Sequence, residues 1–174
     1  MTAMVGESLF LDVAKIAITC VGFASVVAAL RHPKNEKWRY AEIMGLRTMI
    51  EFSFAAVIGG LLPSAVYLYT DDEPQAWFWT STFLALFLLA EIILQLIRIL
   101  RGLRESERSG STGPRLPGLW LFIIVGSLFL LYFEIENARL WREVWPVAGG
   151  AIWLLLAWCL QFYAFMLFLG KEDA

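Results

Sequence analysis

Long apolar runs separated by short polar stretches dominate the chain, and five of these runs are long enough to cross a membrane. A helix needs about 20 residues to span the hydrocarbon core of a bilayer. The pattern therefore predicts an all-α fold: a polytopic transmembrane helical bundle with five membrane-spanning helices and no soluble domain, in one domain covering residues 1–174. The predicted spans cover about residues 9–30, 43–69, 77–100, 118–135 and 147–169.

Charged residues occur within the first apolar run and within the last two. Glu7 and Asp12 lie at the start of the first apolar run and no basic stretch precedes it, so it is interpreted as a retained span rather than a signal peptide. Asp12 and Lys15 are spaced i, i+3 and are predicted to pair on one helix face. Charges interrupt the last two runs, so residues 134–146 are interpreted either as a short amphipathic connection or as a re-entrant element.

The distribution of Lys and Arg between the predicted loops gives an orientation. Basic residues accumulate on the cytoplasmic side of membrane proteins. The first and third loops carry eight of them, against two in the second and fourth loops: Arg31, Lys34, Lys37, Arg39, Arg101, Arg104, Arg108 and Arg115, against Arg139 and Arg142. The protein is therefore predicted to be a multi-pass integral membrane protein with its N-terminus outside and its C-terminus in the cytoplasm.

Composition supports a membrane environment and argues against several classes of function. Of the 174 residues, 59% are hydrophobic and only 17% are charged, which is more apolar than a soluble domain. The net charge of −2 gives no basic surface for nucleic acid, so no such partner is expected. Cys20 and Cys159 lie in apolar runs and His32 is the one histidine, so neither a metal site nor a cofactor is expected. The chain shows no nucleophile or phosphate-binding motif and is predicted not to be an enzyme.

A layer of polar side chains is predicted inside the membrane, toward its cytoplasmic half. At 1.5 Å per residue, Glu91 lies about 21 Å below Trp77 and Gln161 lies about 21 Å past Val147. Glu51 lies about 27 Å from Tyr69, near the inner boundary. Two further sets extend this layer through helical spacing: Glu91, Gln95 and Arg98 at i, i+4, i+7, and Arg47 with Glu51 at i, i+4.

Two interpretations of this layer are open. Intramembrane charges are costly and commonly functional, so Glu91 is the first candidate for a fixed charge or proton site on a pore or pathway, followed by Glu51. Alternatively, Arg47 and Arg98 extend to the cytoplasmic interface and hold the two carboxylates as structural pairs. Arg98 and Glu91 are separated by seven positions, a long reach that favours a function for Glu91. Gln95 and Gln161 are interpreted as pathway residues or as interhelical hydrogen-bonding groups.

Glu134 is placed near the opposite surface by the same arithmetic, about 24 Å past Gly118. With Glu136, Asn137 and Arg139 it is expected to form a polar outer rim. The rim is interpreted either as an interfacial salt-bridge network or as a vestibule that concentrates cations.

The resulting functional hypothesis is a homo-oligomeric, carboxylate-lined pathway for cations or protons. Its residues would be Glu91, Glu51, Glu134, Gln95 and Gln161, supported by the charge pairs of Arg47 and Arg98. The alternatives are an accessory or scaffold subunit that binds another membrane protein, and a small carrier or lipid-handling protein. Besides the lipid bilayer and further copies of the chain, anionic lipid is a candidate partner at Arg101, Arg104 and Arg108.

Small residues predict close helix contacts within this bundle. Ala55 and Gly59, and likewise Ala56 and Gly60, are separated by four positions in the second span, as are Ala24 and Ala28 in the first. Such pairs let the backbones of neighbouring helices approach closely.

Overall fold

A computed structural model describes residues 4–31, 40–109 and 117–169 of the chain, and these residues form an all-α fold. Five helices are long and apolar enough to cross a membrane, which suggests an integral membrane protein. In chain order the elements are α1 (Glu7–Arg31), α2 (Tyr40–Thr70), α3 (Glu73–Ser109), α4 (Pro117–Glu136), a π-helical segment (Asn137–Trp141) and α5 (Val144–Leu169).

The helices extend beyond the predicted spans, most clearly α3. The helix begins at Glu73, so Pro74 occupies its first turn, where the missing backbone N–H costs no intrahelical hydrogen bond. The break before it is supplied by Asp71, which has a left-handed backbone with φ of 52°. At its other end, α3 continues to Ser109, through about half of the predicted third loop.

Helix α2 lies at the centre of the bundle and packs against α1, α3 and α5, while α4 packs mainly against α3. We call one end of the bundle the Glu73 end: α1, α3 and α5 begin there, and the backbone N–H of Val5 donates to Glu73 Oε1 across 3.0 Å. The opposite end, toward which α3 runs, is called the Arg101 end. Successive helices are therefore antiparallel, as short connections require.

The predicted small-residue pairs of α2 lie at two different helix contacts. A Cβ built on Gly59 would meet Leu84 of α3 at 3.2 Å, whereas one built on Gly60 would lie 2.6 Å from the Phe10 carbonyl oxygen of α1. Ala55 and Ala56 are both buried. Adjacent glycines thus give α2 two close neighbours on different sides.

The connection between α4 and α5 is a tight helical turn, which decides between the two interpretations of residues 134–146. The π-helical segment continues α4, and Arg142 then reverses the chain with a φ of 53°. Asn137 closes the turn: its amide nitrogen donates to the Glu143 carbonyl at 2.9 Å and its oxygen accepts from the Glu143 backbone N–H at 2.8 Å. The segment is therefore a compact connection rather than a re-entrant element.

Candidate functional site

A cluster of charged and polar side chains joins α2 to α3 in the half of the bundle nearer the Arg101 end. We call it the Arg98 cluster, and it comprises Arg47, Thr48, Glu51, Glu91, Gln95 and Arg98. Its centre is the Arg98 guanidinium, which donates to Thr48 Oγ1 at 2.7 Å and to Glu51 Oε2 at 3.1 Å. The same guanidinium lies 3.8 Å from Glu91 Oε2. One buried cation therefore serves two carboxylates from two helices.

The spacing of these residues along each helix explains how they meet. On α3, Glu91 and Gln95 are both buried, and the Gln95 amide nitrogen donates to Glu91 Oε2 at 3.4 Å. On α2, Arg47 Nε donates to Glu51 Oε1 at 2.6 Å, which confirms the predicted i, i+4 pair. The sequence pattern thus identified correctly which residues share a face on each helix.

Arg98 differs from its expected placement. Its side chain is only 13% exposed and points into the bundle, so it does not extend to the interface. The Arg98 guanidinium lies 3.8 Å from Glu91 Oε2, although seven positions separate the two residues. Arg98 therefore forms the pairs with Glu51 and Glu91 that the second interpretation predicts, and the separation along the helix no longer favours a function for Glu91. Arg98 turns inward because Thr48 and Glu51 on the neighbouring helix satisfy its donors.

A second buried carboxyl, Glu134, lies near the Glu73 end. The residue is fully enclosed, so the expectation that it belongs to an exposed outer rim is wrong. A Cβ at Gly150 of α5 would overlap Glu134 Oε1, and the same Cβ would meet Leu84 of α3 at 3.1 Å. The carboxyl therefore lies among α3, α4 and α5, in space that exists because residue 150 has no side chain.

Both Glu134 oxygens lack a hydrogen-bond partner among the residues that the structure describes. The Ser81 hydroxyl lies near enough to the carboxyl to interact with it. It accepts a hydrogen bond from the Asn137 amide nitrogen at 2.8 Å, which leaves its own O–H available to the carboxyl. The rim interpretation holds only for Glu136 and Arg139, whose charged groups are 4.0 Å apart. Glu134 is thus a buried carboxyl beside Ser81 rather than part of a salt-bridge network.

Replacing Glu134 with leucine is expected to stabilise the fold. An unsatisfied buried polar group costs about 1–3 kcal/mol, and an apolar side chain of similar size removes that cost. Thermal unfolding of the purified protein in detergent should show a higher melting temperature for Glu134→Leu than for wild type. The control is Glu136→Leu, which removes a surface pair and should give no gain. A lower melting temperature for Glu134→Leu would show that Glu134 has stabilising partners in the folded protein.

Besides the Glu134 oxygens and Ser64 Oγ, three buried polar atoms lack partners within the described part of the chain, and they lie near the level of the Arg98 cluster. They are Gln95 Oε1 on α3, and Trp158 Nε1 and Gln161 Nε2 on α5. Counting from Leu84 and Gly150, which lie side by side, Gln95 and Gln161 are each about 16 Å further along their helices. Buried polar atoms without protein partners commonly bind internal water. This level of the bundle is therefore suited to hydration.

An apolar layer separates the two carboxyl sites. Leu84 and Glu91 are seven residues apart on α3, so Glu134 and Glu91 differ in depth by about 10 Å. The side chains of Leu88 and Leu154 are fully buried in one core at this level. The bundle interior thus places a carboxyl on each side of a packed layer of leucines.

Sequence reasoning missed two contributors to these sites, Thr48 and Gly150. Thr48 is three positions before Glu51, and this i, i+3 spacing was a usable signal that its hydroxyl shares the face of the charge pair. Gly150 gave no comparable signal in the sequence. Its role beside Glu134 depends on the packing of α4 against α5, and no local pattern reveals that.

The other residues singled out in the sequence are the basic residues of the third loop, the histidine and the two cysteines. Arg101 is exposed, whereas the side chains of Arg104 and Arg108 and all of His32 lie outside the described residues. Within the described ranges, no group of three His, Cys, Asp or Glu side chains is arranged to hold a metal ion. Cys20 and Cys159 are free thiols.

A shallow groove of about 440 Å³ opens between α2 and α3 at the Glu73 end. Its lining is largely apolar and includes Leu62, Val66, Tyr69 and Trp79, but neither Glu134 nor any member of the Arg98 cluster. The candidate site is therefore the interior of the bundle rather than this groove.

Searches for similar proteins found no matching family model, curated protein or solved structure.

Proposed function

We propose that the protein is a five-span integral membrane protein that conducts protons through the interior of its helical bundle. The observation that carries the proposal is the pair of buried carboxyls, Glu134 and Glu91, on opposite sides of the apolar layer. In the proposed orientation the Arg101 end faces the cytoplasm and the Glu73 end faces outward, as the distribution of basic residues indicates.

The packed layer between the carboxyls favours protons over hydrated cations. A hydrated ion needs a continuous wet passage, whereas Leu88 and Leu154 fill this level without exposure to solvent. A proton needs only a transient chain of water molecules between two groups that can hold it. The Glu134 oxygens have no hydrogen-bond partner among the described residues, so this carboxyl is stable in a low-dielectric interior as the neutral acid and releases its proton when water reaches it.

The Arg98 cluster would act as the cytoplasmic relay. Arg98 lies beside both Glu91 and Glu51, so it favours a negative charge on one carboxyl when the other holds the proton. Glu51 is partly exposed and paired with Arg47, and it connects the buried Glu91 to the Arg101 end. Gln95 and Gln161 would orient water at this level through the polar atoms that protein groups do not satisfy.

This proposal narrows the original hypothesis of a pore lined by carboxylates from several subunits. Glu91 and Glu134 point into the interior of one bundle, so the proposed pathway runs within a single protomer. Association of several copies is then not needed to build the pathway.

Proton flux into liposomes tests the proposal. The purified chain is reconstituted with an internal pH-sensitive dye, and a potassium diffusion potential drives protons. Wild-type protein is expected to acidify the liposomes. Glu91→Gln and Glu134→Gln, which keep the side-chain shape but hold no exchangeable acid proton, should each lower the rate about tenfold or more.

Glu136→Gln is the matched control for these variants, because Glu136 lies two residues from Glu134 but in a surface pair with Arg139. Its flux should equal that of wild type. Flux that is absent from wild type at verified protein incorporation, or that is unchanged in both Glu91→Gln and Glu134→Gln, would refute proton conduction along this route.

A further inference from the structure

The side of α1 that faces away from the bundle carries a seam of polar and small residues. Asp12, Lys15, Thr19, Gly22 and Val26 are exposed and follow one another at alternating intervals of three and four residues. That spacing keeps them on one face of a helix and is the repeat of a left-handed helix pair. The opposite face of α1, with Phe10 and Ala14, packs against Gly60 of α2.

The charges of this seam lie within the apolar length of α1. Lys15 Nζ is 2.9 Å from Asp12 Oδ1, which confirms the predicted pair, and the two side chains are 73% and 63% exposed. They lie about 8 and 12 Å along the helix from Glu7, within the segment that is apolar enough to span. Polar groups at such depth normally face protein rather than hydrocarbon.

The seam also allows a close neighbour. A Cβ built on Gly22 would have no atom within 4 Å, so the surface there is flat and open. Thr19 lies one turn away, and its hydroxyl donates to the Lys15 carbonyl at 3.0 Å, which leaves its methyl group on the surface. Small side chains at successive seam positions are the feature that lets membrane helices approach each other.

We propose that this seam is the interface of a parallel homodimer, in which α1 packs against α1 of a second copy. A two-fold axis parallel to the helices places the same seam of both copies face to face. Each residue of one seam must therefore fit the residue that it meets on the other seam. The seam meets this condition because it carries one charge of each sign, one turn apart. Asp12 of one protomer faces Lys15 of the partner subunit, and the reciprocal pair forms at the same depth. This inference is independent of proton conduction.

Disulfide crosslinking tests the contact directly. In a background of Cys20→Ala and Cys159→Ala, Val26→Cys places a thiol at the seam. The matched control is Val125→Cys on α4, because Val125 is 55% exposed and Val26 is 54% exposed. Mild oxidation of membranes is expected to yield about tenfold more covalent dimer from Val26→Cys than from Val125→Cys. Equal yields would mean random collision and would overturn the proposal.

Charge changes then distinguish a pair between subunits from a pair within one. Lys15→Asp makes a seam with two negative charges and Asp12→Lys makes one with two positive charges. Each should lower the Val26→Cys dimer yield about tenfold when expressed alone. Coexpression of the two variants, with different tags, should restore crosslinking between unlike subunits. The reciprocal pairing would be overturned if coexpression did not restore the dimer yield, or if the single variants gave the same yield as Val26→Cys alone.

Discussion

Replacing Arg98 with leucine is expected to destabilise the fold by about 3–5 kcal/mol, because it removes the cation shared by the buried Glu91 carboxylate and the partly buried Glu51 carboxylate. Glu91 would keep only the 3.4 Å hydrogen bond from Gln95, and Glu51 would keep Arg47. Denaturant titration in mixed micelles, followed by tryptophan fluorescence, measures the change in the free energy of unfolding.

Arg47→Leu is the matched control for this prediction. Arg47 binds the same carboxylate, but its side chain is 60% exposed, so its removal should cost about 1 kcal/mol or less. The double variant Arg98→Leu with Glu91→Leu should recover part of the stability, since it removes the uncompensated charge together with the cation. Equal losses for Arg98→Leu and Arg47→Leu would contradict a central role for Arg98.

Replacing Gly60 with alanine is expected to separate α1 from α2 and to cost about 2 kcal/mol, in the range measured for overpacked cores. The new Cβ would lie 2.6 Å from the Phe10 carbonyl oxygen and 3.1 Å from the Ala14 backbone nitrogen. Neither atom belongs to a flexible side chain, so relief requires a shift of the whole helix. The same micelle titration measures the loss.

Gly45→Ala serves as its control, because Gly45 lies in the same helix and its added Cβ would meet the Phe165 ring at an ordinary 3.6 Å. Since alanine favours helices more than glycine, this variant should be neutral or slightly stabilising. A similar loss in both variants would trace the effect to α2 itself rather than to its contact with α1.

The local pattern of the sequence predicted the faces of individual helices well. The shared burial of Glu91 and Gln95, the Arg47–Glu51 pair and the Asp12–Lys15 pair all follow from residues three or four positions apart on one helix. Helical geometry is the same wherever a helix forms, so such relations need no knowledge of neighbouring elements.

The burial of Glu134 was not predicted from the sequence. Its distance along α4 placed it correctly near the Glu73 end, but depth says nothing about which direction a side chain faces. Burial of the carboxyl depends on Gly150 being opposite it, and that meeting is set by how α4 and α5 pack around the turn that Asn137 closes.

By itself, the sequence determined five apolar helices, their approximate bounds and the residues that share each face, because hydrophobicity and helical period are local properties of a contiguous chain. Only the tertiary structure decided that Arg98 turns inward to bridge α2 and α3, and that the enclosed Glu134 oxygens find no hydrogen-bond partner among the described residues. Both outcomes depend on the rotation and depth of one helix relative to another, which side-chain packing between distant segments fixes.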